Sequence, residues 1–510
     1  MTSATGIVDR RGSSLPAVLI ASSLAVMALG VLAGADPRAL ALLTIAVTGL
    51  ALFHPVLSRW HVLVGIVVAV ILFVPIKRYQ LPGNLPFDLE FYRVTIAIVL
   101  ALWLAALLVD ARVSTQPTGL GGPLALFALA IFGSIVANAG RIQGLNVREV
   151  DLSSDVAKKT LFFASFYLVL LLVVSVIRDF RAIHAVLKTI TAGSAILAGS
   201  ALVEARTGYN AFNHLHSAVP FLQFEGALTE EGIARSGRLR IYASSGHPIE
   251  LAAVLAMVLP LAIYLGRLTR RWWWWLSAGV IVLAVFATVS RTGIVMLATI
   301  AAVFLWLRRK EVTKLWPLVV PVLLAVHLVT PGVLGGLQGA FFPRGGLLQD
   351  QTVYGGRFSA QRLGGELDLI KSKPVFGQGF GTRITTGEKA QQNARVLDDE
   401  WLGTASETGI VGVIALAWLF VRFVRRLGRE AKQDLSARGS LLVALAGSVA
   451  AFAVSMFTFD AFSFIQVTFL LFILLGLGMA VLATEDHWFF AERRLAANPT
   501  GLRNAPGEIS

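Results

Sequence analysis

The chain has no cysteine, which excludes a disulfide framework, a thiolate metal site and a thiol nucleophile. Charge is also scarce: Asp, Glu, Lys and Arg make up 15% of the 510 residues, against about 25% in ordinary globular domains. The acids are the scarcer sign, 30 against 44 Lys and Arg. Repeats with a period of about 20 to 50 residues are absent, as are low-complexity tracts, and no hydrophilic catalytic domain is expected at either end. Any chemistry must therefore use oxygen and nitrogen groups carried by whatever the apolar bulk of the chain builds.

That bulk is 56% hydrophobic, with a mean hydropathy of +0.73. Apolar runs of about 17 to 23 residues, each long enough to cross about 30 Å of hydrocarbon as a helix, recur along the sequence. They fall near 15–34, 39–57, 60–76, 93–109, 121–138, 158–178, 182–204, 246–266, 273–290, 292–307, 314–331, 404–421, 439–459 and 462–483. The expected fold is an all-α polytopic membrane protein, a bundle of about 12 to 14 transmembrane helices. Residues 1–14 and 484–510 are expected as cytoplasmic tails, and 15–483 as a single membrane domain. The first span follows Arg10 and Arg11 and is too long for a signal-peptide core, so a retained anchor is expected.

With both termini inside, the short connections at Arg178 and Arg181, at Arg267, Arg270 and Arg271, from Arg308 to Lys310, and from Arg422 to Arg438 lie in the cytoplasm. The segments holding Asp36 and Asp460 then lie outside, with two long loops, 205–245 and 332–403. The net charge of +14 does not indicate nucleic acid, because about half of the Lys and Arg sit in cytoplasmic connections, where topology and anionic lipids account for them.

The external basic residues need another explanation. Arg291 stands in Ser290-Arg291-Thr292-Gly293, between two apolar spans, and a cation held at that depth marks an anion or reaction site. The first loop carries Arg235, Arg238 and Arg240 and closes on Gly246, His247 and Pro248. His247 precedes a proline suited to the first turn of a helix, whose free N–H groups favour phosphate; a helix cap or interfacial packing serves equally well. The second loop carries Arg344 and Arg357, an approximate apolar stripe through residue 371, and the turn from Pro374 to Gly381. Its alternating glycines suit either a phosphate wrap or a tight turn. The acids Asp398, Asp399 and Glu400 precede the next span as solvated charge, a helix N-terminal complement or a general base. Glu407, within the span, is expected to pair internally.

Four segments resemble, in order, motifs of the O-antigen ligase and O-antigen polymerase family of bacterial envelope glycan transferases. They are Arg240 to Ala252, Ser290 to Gly293, Arg357 with Pro374 to Gly381, and Asp398 to Gly412. The resemblance implies a bundle like that of the lipid-dependent (GT-C type), metal-independent glycosyltransferases in the bacterial cytoplasmic membrane, with its active site on the external face and no cofactor. The donor it implies is a polyprenyl (undecaprenyl) diphosphate-linked glycan, passed to a glycan or lipid acceptor. Arg291, Arg240 and Arg357, with Ser290, Arg235 and Arg238 behind them, are then the residues expected at the diphosphate. Asp398 stands where the ligases have a histidine proposed as base, so Asp398, Asp399 and His247 join Arg291 as catalytic candidates. The competing class is a transporter or flippase of glycan lipids or small anions, which should show repeated halves and helices interrupted near the midplane.

Overall fold

In the computed structural model, the described residues are 21–28, 40, 44, 48, 59–82, 89–110, 113–144, 146–147, 150–228, 234–235, 238–313, 317, 319–330, 332–341, 367–383 and 399–484. They form an all-α bundle. Its principal helices are α1 (Trp60–Phe73), α2 (Phe91–Val109), α3 (Gly121–Ala137), α4 (Leu152–Val176), α5 (Phe180–Thr207), α6 (Pro248–Thr269) and α7 (Trp272–Ala287). They continue as α8 (Arg291–Val312), α9 (Val319–Val329), α10 (Val333–Phe341), α11 (Glu400–Gln433), α12 (Ala437–Ser455) and α13 (Ile465–Ala483). Eight of these are long and apolar enough to cross a membrane, and α1, α3 and α7 are shorter apolar helices.

Most expected spans correspond to one helix each. The expected spans 15–34 and 39–57 fall largely outside the described residues. Within the span expected over 314–331, the described residues form the 11-residue α9, and 314–316, 318 and 331 lie outside the described residues. Helix α9 ends before Pro331 and Gly332, a pair that breaks a helix, and α10 follows at once.

Helices α6 and α13 are almost wholly buried, and α6 packs against α5, α7, α8, α12 and α13. Their all-round apolarity is what a central helix needs. The outer helices leave Leu108, Val109, Leu129, Val136 and Ile196 exposed, as surfaces meeting hydrocarbon rather than water.

Polar contacts gather at two opposite ends. At one, Arg178 reaches Ser114, Arg422 reaches the Gly119 carbonyl, and Arg308 and Arg438 bind Asp434. These are the residues expected on the cytoplasmic side. At the other end lie Arg78, Glu204, Arg240, Arg291, Arg383 and Asp460, the side expected to face outward.

Candidate active site

The turn between α7 and α8 places Arg291. Thr288 caps α7, Val289 takes φ 50°, Ser290 is extended, and Arg291 begins α8. A left-handed conformation is rare and strained for a β-branched residue, and such strain concentrates at functional turns. It is held by packing, because Val289 is buried with Val326, Val333 and Leu337 from α9 and α10. Arg240 is buried against this turn, its Nε donating to the Thr288 carbonyl at 2.8 Å. The structure thus ties Arg240 to the turn that leads into Ser290 and Arg291, about 50 residues away in sequence. The Ser290 hydroxyl is buried and finds no hydrogen-bond partner among the described residues. Two residues on, the Thr292 hydroxyl meets that of Thr458 at 2.9 Å.

His247 caps α6. Its Nδ1 accepts the Ile249 N–H at 3.1 Å, and its ring packs on Phe464 with centroids 5.7 Å apart. Asp399 caps α11 in the same way, accepting from the Leu402 N–H at 3.1 Å. Burial pushes its carboxyl above the ordinary range, against the pull of the N–H donors and Arg383. Arg235 and Arg238 pair with each other in the backbone of a two-residue hairpin. Arg344, Arg357 and Asp398 lie outside the described residues.

The backbone of the glycine turn seals a break in α11. At Gly409 (φ 67°, ψ −165°) the helix is interrupted, freeing carbonyls of the preceding turn. The Gln378 N–H donates to the Ser406 carbonyl at 2.8 Å, and the Gly379 N–H to that of Glu407 at 3.3 Å. The Ser134 hydroxyl also donates to the Glu407 carbonyl, at 2.6 Å, and the Ile410 N–H donates back to Pro374 at 2.9 Å. A Cβ at Gly409 would sit 2.1 Å from the Val375 carbonyl oxygen, and one at Gly377 2.6 Å from that of Ser406. Irregular backbone at such depth is tolerated where protein satisfies it. The third and fourth motifs are therefore a single interlocked piece.

Just beyond this turn lies Arg383, which sequence reasoning passed over. Its Nη2 lies 2.8 Å from Asp460 Oδ1 and 3.9 Å from Glu400 Oε1, and its Nε lies 3.7 Å from Glu407 Oε1. Lys159, from α4, joins with Nζ 3.4 Å from Glu407 and 2.7 Å from the Arg383 carbonyl. Burial alone would lower the Arg383 pKa, but the three carboxylates outweigh it and hold the guanidinium above its usual value. For Asp460 burial pushes upward, yet Arg383, Glu400 and Ser463 together hold the carboxyl below its usual range. Glu407 is thus paired internally, as its place in a span led one to expect.

This cluster is one wall of a cavity of about 160 Å³. Phe127, Phe162, Phe163, Phe166, Phe380 and Phe462 supply aromatic surface, while Lys77, Lys159, Arg383, Glu400, Thr404 and Glu407 supply polar atoms. The sequence signal for it was a pair of lysines, Lys158 and Lys159, at the start of an apolar run. An ionisable group there is a site hypothesis by default.

Fold and site together define a multi-pass α-helical membrane protein with a buried ionic cluster and an arginine-bearing turn at the same end of the bundle. Residues 276–417 match a family model described as O-antigen ligase, which supports placing the chain in the O-antigen ligase and polymerase family. The matched stretch takes in Arg291, the glycine turn, Arg383, Asp399 and Glu407, but not Arg240 to Ala252. No curated protein matches the chain.

Proposed function

We infer that the protein transfers a glycan from a polyprenyl (undecaprenyl) diphosphate carrier to an acceptor hydroxyl at the outer face of the bacterial cytoplasmic membrane, in cell-surface polysaccharide synthesis. The observation carrying this reading is the O-antigen ligase match over 276–417. In the transfer, the acceptor oxygen bonds to the anomeric carbon as the bond from that carbon to the diphosphate oxygen breaks. The electron pair leaves with the diphosphate, and the acceptor proton passes to a base.

Negative charge grows on the leaving diphosphate, so cations fixed before the reaction stabilise the transition state more than the ground state. Arg291 suits that role, since a guanidinium stays charged and grips phosphate oxygens bidentately. It stands at the first position of α8, where free N–H groups add positive potential. Arg240 holds the turn through Thr288, and Arg357 is assigned to the same anion. Asp399, with its carboxyl raised by burial, is the described candidate for the base, beside Asp398.

A transporter would use an interrupted helix differently. There the freed carbonyls coordinate the transported ion; here the carbonyls at Ser406 and Glu407 accept from Gln378, Gly379 and Ser134. The test is purified protein in lipid nanodiscs, supplied with a polyprenyl diphosphate oligosaccharide and an acceptor. Release of carrier diphosphate coupled to glycan transfer, persisting in chelator, is expected. Movement of intact glycan lipid across vesicles without bond cleavage would overturn the reading.

A further inference from the structure

We propose that the cavity beside Arg383 is a subsite for a neutral sugar residue of the glycan, separate from the anion site at Arg291. This deepens the transferase reading and rests on it for the identity of the natural ligand, though not for the chemistry of binding.

The inference starts from charge. Lys77, Lys159 and Arg383 line the cavity with Glu400 and Glu407, and Asp460 backs Arg383 from behind, so the three cations of the polar wall are opposed by two lining carboxyls and a third just outside it. A diphosphate placed there would face Glu400 and Glu407 and compete with Asp460, all three carboxyl groups lying within 4 Å of the guanidinium it needs. A polyprenyl tail fares worse, because hydrocarbon against the polar wall leaves buried donors with no acceptor. One such deficit already exists: Arg383 is buried, and its Nε and Nη1 find no hydrogen-bond acceptor among the described residues.

A pyranose answers both halves of the cavity. Its hydroxyls donate to carboxylates and accept from Lys159 and Arg383, so a wall of mixed sign is matched rather than opposed. Its C–H face is apolar and packs on aromatic rings such as Phe163 and Phe380, whose centroids lie 6.3 Å apart. Volume agrees. A water needs about 10 to 15 Å³ of such space, so a cavity of about 160 Å³ admits a ligand of about a dozen non-hydrogen atoms, the size of a hexose.

Saturation-transfer NMR on the full chain in nanodiscs tests this, with neutral methyl glycosides of a hexose, a 6-deoxyhexose and an N-acetylhexosamine as probes and inorganic diphosphate as competitor. At least one glycoside should bind, be lost in Lys159→Met and weaken about tenfold in Thr404→Val, a near-isosteric change that preserves packing. Diphosphate should not displace it, and Arg291→Ala should leave it intact. Failure of all three glycosides to bind, displacement by diphosphate, or equal binding to both cavity variants would overturn the proposal. The readout needs no turnover, so glycoside binding without transfer would count against the transferase reading alone.

Discussion

The hydroxyls of Thr292, on the first turn of α8, and Thr458, in the segment between α12 and α13, meet at 2.9 Å. That segment is also fastened to the start of α11: the Glu400 N–H donates to the Met456 carbonyl at 2.8 Å, and the Phe462 N–H to Glu400 Oε2 at 3.0 Å. Through Asp460 it is held by Arg383. A single short segment therefore ties the turn bearing Arg291 to the helix start bearing Asp399, from elements more than 100 residues apart in sequence.

Arg291→Ala should lower transfer by about 10²–10³-fold, the usual effect of removing one preorganised charge-stabilising group, while the protein remains folded and inserted. Arg291→Lys should recover little, because an ammonium lacks the bidentate fork. Initial rates with the polyprenyl diphosphate donor, alongside size-exclusion profiles in detergent, decide it. Normal turnover in the alanine variant would remove Arg291 from the mechanism.

The sealed break in α11 makes Gly409 intolerant of any side chain. Alanine there needs φ 67° and drives its Cβ into Val375, so Gly409→Ala should cost more than the about 1–3 kcal/mol typical of a strained position. Gly199 lies inside α5 with open space around it, and Gly199→Ala should be neutral or stabilising by up to about 1 kcal/mol. Thermal unfolding followed by fluorescence-detected size exclusion separates the two; equal melting temperatures would contradict the interlock.

Arg383→Gln leaves Asp460, Glu400 and Glu407 buried without their main counter-charge. Breaking a buried pair from one side costs about 3–5 kcal/mol. Because the folded-state pKa of Asp460 lies below its unfolded value of 3.8, the stability it contributes is fully present above that value and is lost as pH falls through the folded pKa. The wild-type protein should therefore lose stability on acidification below about pH 4, and Arg383→Gln should lose less over the same window. Parallel pH curves for the two proteins would show that the pair does not govern acid stability.

The bundle was legible because membrane helices announce themselves by length and apolarity, a signal that needs no tertiary information. The α7–α8 turn was legible for a related reason: Arg291 is a charge where the hydropathy forbids one. Arg383 was not, since in sequence it is one external arginine among several, and only the docking of the glycine turn into α11 buries it among three carboxylates. The cap roles of His247 and Asp399 were foreseen as alternatives, but backbone geometry alone shows that Nδ1 and Oδ1 are so engaged.

Orientation can be tested with introduced cysteines, since the natural chain has none. Phe221, exposed at the end of the bundle that holds Arg383, and Leu435, exposed at the opposite end, are suitable sites. With both termini cytoplasmic, Phe221→Cys should react with an impermeant maleimide added outside intact spheroplasts, and Leu435→Cys only after lysis. The reverse pattern would invert the topology and place the candidate site in the cytoplasm.

Asp399 gives the sharpest test of acceptor activation. Burial raises its carboxyl above the ordinary aspartate value, so as base it must lose its proton before it acts, and transfer should rise with pH through that raised pKa. The acidic limb of the kcat/KM profile should therefore lie above the ordinary aspartate range and vanish in Asp399→Asn, whose rate should fall by about 10²–10⁴-fold. Asparagine still caps a helix well, so the cap to Leu402 and donor binding should survive. That separates the two roles: a residue that only caps would change neither the limb nor the rate. If Asp399→Asn keeps the wild-type profile, the base lies elsewhere, with Asp398 the next to substitute.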